Sequence, residues 1–129
     1  MTSMDPSPQA LGDVLDADTV QQLIDLDDGS LGLLQEMYEI FRDDTPSRIE
    51  ALDVAAKAGE REEMGDVAHA IKGAAATIGA PRVRALALAL EMAGRKGVSD
   101  AQPVLLVASL KEEFQQALRA LEAHIVSKR

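Results

Sequence analysis

The chain has 129 residues, a net charge of −9, 47% hydrophobic and 27% charged residues, values of a single globular domain. The acidic excess argues against nucleic acid or an anionic membrane as the main partner, and the absence of Cys excludes disulfides, thiol catalysis and Cys-ligated zinc. With two Phe, one Tyr and no Trp, the core must come from Leu, Ile, Val, Met and Ala, which suits packed helices better than sheets.

Residues 1–10, "MTSMDPSPQA", hold two prolines and small polar residues and read as a disordered leader to a domain over 11–129. No apolar run approaches the ~20 residues of a membrane span. No signal-peptide pattern opens the chain, so a cytoplasmic location is expected. The first short helix starts after Asp16 or Asp18 and uses Val20, Leu23, Ile24 and Leu26. "DDGS" ends it, with Gly29 as a left-handed cap and Ser30 as the next N-cap.

From Leu31 to Ala58 the pattern is helical, although Pro46 interrupts it. Leu34, Met37, Tyr38, Phe41, Leu52 and Ala56 share one face at about 100° per residue, so one long helix with a kink near Pro46 is expected. Gly59 caps it. The next helix runs from about Glu60 to Ile78, opened by "EREE" and closed by Gly79. Another begins at Pro81 and carries the apolar run "VRALALALEM". The last starts near "SDAQP" and reaches about Val126, with a stripe of Leu106, Val107, Leu110, Phe114, Ala117, Leu118, Leu121 and Ile125. The predicted fold is all-α, an up-down four-helix bundle with a short extra N-terminal helix.

The third of these helices carries the chemistry. On a wheel centred on His69, residues Glu62, Gly65, Asp66, Lys72, Gly73 and Ala76 lie within about 60°, while Met64, Val67, Ile71, Ala74 and Ile78 lie opposite. His69 is therefore predicted to face outward. Each interior glycine costs a helix roughly 0.5–1 kcal/mol relative to Ala. Gly65 and Gly73, one turn either side of His69, are read as clearing a face around the imidazole. Lys72 places a cation where an anion attached to His69 would sit.

The stretch "HAIKGAAATIGAPRVRALALALE" resembles the signature of histidine-containing phosphotransfer (HPt) domains of bacterial multistep phosphorelays. The residues that carry the likeness are His69, Lys72, Gly73, Ala74, Gly79 and Glu91. It extends over roughly 14–126, through "LLQEMYEIFRDDTPSRIEAL" and "ALDVAAKAGEREEMGDVAHAIKG". The resemblance implies an HPt-like bundle in which His69 accepts a phosphoryl group from a receiver-domain aspartate and passes it to another receiver. Lys72, Gly73 and Glu91 complete the expected site. The chain is then a carrier rather than an enzyme, without a cofactor of its own, since the receiver supplies Mg²⁺ and the carboxylates. Its expected partners are response-regulator receiver domains and a hybrid histidine kinase. A monomer is expected, and a free-standing carrier fits better than an excised domain.

Counting out from the Gly79–Pro81 turn, His69 and Glu91 stand at similar heights on antiparallel helices. A Glu91 carboxylate there can hold the imidazole Nδ1–H, although by position alone it is equally an exposed residue near a helix end. His124 is read as a surface residue with no role, and Arg82, Arg84, Arg95 and Lys96 as solvated charges, with contact to a receiver's acidic pocket as the alternative for Arg82. "EREEMGD" reads as a favourable helix start. A di-metal bundle site needs Glu-x-x-His pairs. The chain has two histidines, and Glu122 stands two residues before His124, not three. The remaining alternative is an adaptor that binds a receiver or kinase without accepting phosphate.

Overall fold

The computed structural model describes residues 13–97 and 102–129. The leader expected over 1–10 lies outside the described residues. Five helices and no strand are present among them: α1 Ala17–Leu26, α2 Gly32–Ala58, α3 Arg61–Ile78, α4 Pro81–Lys96 and α5 Pro103–Lys128. Helices α2 to α5 form a ring in which each packs on its chain neighbour and α5 returns to α2. Helix α1 lies on α2 and α3.

Asp16 caps α1 by accepting from the backbone N–H of Asp18 (3.1 Å) and Thr19 (3.4 Å). Val20 and Ile24 are buried, whereas Leu26, expected on the apolar side, is 76% exposed because the helix ends there. The Asp16 N–H donates to Gly79 O at 2.9 Å. Gly79 has φ +79°, and a Cβ on it would stand 3.2 Å from Asp16 O and from the Thr19 and Val20 side chains. The glycine that ends α3 is thus also the seat of α1. Ser30 Oγ accepts from Gly32 N (3.1 Å) and Asp27 Oδ2 from Leu33 N (3.0 Å), so two side chains share the start of α2.

Helix α2 continues through Pro46, as its register predicts. Leu34, Tyr38, Phe41, Ile49, Leu52 and Ala55 are buried, with Met37 and Ala56 at the edge of the core. Helix α5 buries Val107, Leu110, Phe114, Ala117, Leu121 and Ile125, with Leu106 and Leu118 packed at the edge. Phe41 and Phe114 meet edge to face, centroids 5.1 Å apart at 69°. Helix α4 begins on Pro81 and runs through Gly94 to a left-handed cap at Gly97. No helix among the described residues is long and apolar enough to cross a membrane.

Candidate functional site

The α3–α4 seam is built from small residues. Ala68 and Ala75 of α3 are buried, as are Ala87 and Ala93 of α4. At Gly94 the two backbones touch: a Cβ there would fall 2.6 Å from Arg61 O and 2.7 Å from Gly65 N. The buried stripe of α3 is Met64, Ala68, Ile71, Ala75 and Ile78, with Val67 and Ala74 at its margin. His69 lies on the outward side, its side chain 62% exposed.

The antiparallel crossing brings Glu91 opposite His69. The glutamate is buried, and its carboxylate carries three cationic or polar partners. Oε1 accepts from Lys72 Nζ at 2.6 Å. Oε2 stands 2.7 Å from His69 Nδ1 and accepts from Arg95 Nε at 3.3 Å. The Lys72 ammonium, chiefly, holds the Glu91 carboxyl down to about 2; burial opposes it, and His69 and Arg95 add to it. An ionised carboxylate only accepts. The proton between Glu91 and His69 therefore belongs on Nδ1, and in the neutral ring this leaves Nε2 with its lone pair.

Four of the residues singled out in the sequence take distinct places here. His69, Lys72 and Glu91 form one hydrogen-bonded group. Gly73 is exposed, and a Cβ there would meet nothing within 4 Å. Lys72 is not a free cation: its side chain is 23% exposed and is bonded to Glu91.

Gly65 corrects the expectation. It is buried, and an added Cβ would lie 3.3 Å from Arg95 Cγ. It makes room for the neighbouring helix and the Arg95 stem, not for an incoming partner. Arg95 is exposed, as expected of a solvated charge, and it also bonds Glu91 and reaches Asp66 Oδ1 through Nη1 at 3.3 Å. The i, i+4 spacing of Glu91 and Arg95 was the available signal. Arg82 pairs with Glu113 at 3.4 Å, both side chains largely buried, while Arg84 and Lys96 are exposed. His124 is half-buried, and its Nε2 is enclosed without a hydrogen-bond partner. Among the described residues no three His, Asp or Glu side chains are grouped to hold a metal ion.

No curated protein and no solved structure matches the chain. The family model of the Hpt domain matches residues 36–124, a span that takes in His69, Lys72, Gly73, Glu91 and Arg95. With more than half of its length matched on an all-helical bundle, the chain belongs to the Hpt-domain family, whose members serve as phosphocarriers in phosphorelays.

Proposed function

We propose that His69 is the phosphoryl acceptor of this carrier, with a receiver-domain aspartyl phosphate as donor and a second receiver aspartate as acceptor. The observation that carries the reading is the 2.7 Å contact of Nδ1 with an ionised, buried carboxylate on a side chain that is otherwise 62% exposed. The Nε2 lone pair attacks phosphorus. The P–O bond to the aspartate breaks, and that carboxylate leaves with the bonding electrons. The ring becomes a cation, which Glu91 stabilises through Nδ1–H. The second transfer reverses these bonds. Phosphoryl transfer rests mainly on positioning and electrostatics. The receiver supplies Mg²⁺ and its carboxylate cluster, so this chain needs only a presented imidazole with an open approach at Gly73.

Incubation with a phosphorylated receiver is expected to give acid-labile, base-stable label on the wild type and none on His69→Gln. The adaptor alternative requires binding without label. Equal labelling of the variant would place the acceptor elsewhere.

A further inference from the structure

Glu91 has three side-chain torsions, and a carboxylate held at one oxygen can still pivot about its last bond. Lys72 holds Oε1 only. The oxygen that meets the imidazole is Oε2, and its other partner is Arg95 Nε at 3.3 Å. Arg95 does not stand alone. Its Nη1 bonds Asp66 Oδ1 at 3.3 Å, and Asp66 lies three residues before His69 on the same helix. The guanidinium thus links the helix that carries the carboxylate to the helix that carries the imidazole. Its planar fork offers donors in fixed directions, which a lysine ammonium does not.

The backbone is shaped for this link. The Arg95 stem crosses α3 where that helix has no side chain: a Cβ on Gly65 would be 3.3 Å from Arg95 Cγ and 3.7 Å from Nη1. One residue before Arg95, Gly94 lets the two helices touch at Gly65. Two interior glycines, each less favourable to a helix than Ala, therefore meet at the point where the arginine passes.

We infer that Arg95, anchored on Asp66, is the positioning residue of this site: it fixes the plane of the Glu91 carboxylate so that Oε2 holds the His69 ring with Nδ1 protonated and Nε2 free. The inference deepens the reading of His69 as phosphoacceptor and rests on it. Arg95 acts through Glu91.

The test is ¹⁵N NMR of the imidazole nitrogens in the full chain, with His124 separated by the spectrum of His69→Gln. Wild type is expected to show His69 with the proton on Nδ1. Arg95→Met keeps a stem over Gly65 and removes the guanidinium. It is expected to show a mixture of tautomers and a transfer rate lower by about three- to tenfold. Arg95→Lys, which can still reach Glu91 one turn away, should recover part of both. Asp66→Asn should shift the ring signals in the same direction by less. If Arg95→Met keeps the wild-type nitrogen pattern, Arg95 has no positioning role. If Asp66→Asn alone is silent, the anchoring half of the inference is wrong. The NMR comparison needs no phosphate. A wild type that accepts none would therefore overturn the carrier reading while the role of Arg95 is still decided by the ring signals.

Discussion

Two carboxylates are buried in the described part of this bundle, on different seams. Asp53 of α2 is held by Lys57 at 3.1 Å and by Lys111 of α5 at 3.3 Å. Glu91 of α4 is held by Lys72 of α3 at 2.6 Å and by Arg95 at 3.3 Å. Both carboxyls lie below their usual range, mainly through a lysine hydrogen bond, with burial opposing. What differs is the remaining partner. Among the described residues the bonded partners of Asp53 are two exposed lysine side chains, so that cluster joins two helices. Beside Glu91 there is an exposed imidazole. The same ion-pair chemistry thus acts as a clasp on one seam and, on the proposed function, orients a nucleophile on the other.

The widest separation is expected in phosphotransfer. Glu91→Ala removes a hydrogen bond to a ring that becomes charged in transfer, an interaction worth about 1.5–3 kcal/mol, so the rate should fall by roughly ten- to a hundredfold. Asp53→Ala should leave the rate within about twofold and lower the urea midpoint instead. Rates from a phosphorylated receiver, measured on both variants, decide it. Equal slowing by both would remove the distinction between clasp and orienter.

The seams also differ in how they are filled. The α2–α5 seam is spanned by rings and long side chains, including Phe41, Phe114 and the Tyr38–Glu122 hydrogen bond at 3.3 Å. The α3–α4 seam closes on Gly65 and Gly94. Gly94→Ala puts a methyl 2.6 Å from a carbonyl oxygen. Backbone cannot yield as a side chain can. Despite the better helix propensity of Ala, a loss of roughly 1–3 kcal/mol is expected in urea unfolding. Phe114→Leu on the other seam should lose the edge contact with Phe41, about 0.5–1.5 kcal/mol. A Gly94→Ala variant as stable as wild type would mean the two helices are free to move apart.

Acid acts on both carboxylates in the same direction. The Glu91 carboxyl goes from 4.5 when unfolded to about 2 in the fold. A depressed value means that its stabilisation is complete above 4.5 and is lost as pH falls toward 2. Stability of the wild type should decline across that window. Glu91→Gln should flatten the decline, and Asp53→Asn should act in the same direction, since both carboxyls are held below their ordinary range. Chemical unfolding at a series of pH values is the measurement, and identical slopes for Glu91→Gln and wild type would contradict it.

Much of this was legible along the chain. The outward place of His69 follows from the spacing of Met64, Ile71 and Ile78. The turn follows from Gly79 and Pro81, and the height of Glu91 follows from counting out from that turn. The burial of Gly65 and the link that the exposed Arg95 makes to Glu91 and Asp66 were not legible, because both depend on the distance between α3 and α4. That distance is set where Gly94 meets Gly65, far apart in sequence and in contact in space. A wheel drawn for one helix shows which side is bare, and it cannot show that the bare side is filled by a side chain from the next helix. His124 was misread for the same reason, since its enclosure depends on what surrounds α5.

The smallest expected effect is at Lys72, where the two seams are most alike. From sequence, Lys72 holds the phosphoryl group; in the structure its ammonium is on Glu91 Oε1, with 23% of the side chain exposed. On the proposed mechanism these roles succeed one another in transfer. Before it, the ammonium shares the carboxylate charge. After it, the phosphoryl oxygens one turn away compete for the same donor hydrogens, of which lysine has three. Lys72→Ala removes both contributions but leaves Arg95 and His69 on Oε2, so the Nδ1–H tautomer should persist. With the lysine at the margin of solvent, the change should be a few-fold in transfer rate or phosphohistidine lifetime. The measurement pairs the decay of labelled protein with the ¹⁵N signals of His69 in the same variant. Retained tautomer with a few-fold kinetic change assigns Lys72 to the phosphoryl group. A displaced tautomer would instead make Lys72 a second anchor of Glu91, equivalent to Arg95, and its place on Oε1 would carry no separate meaning.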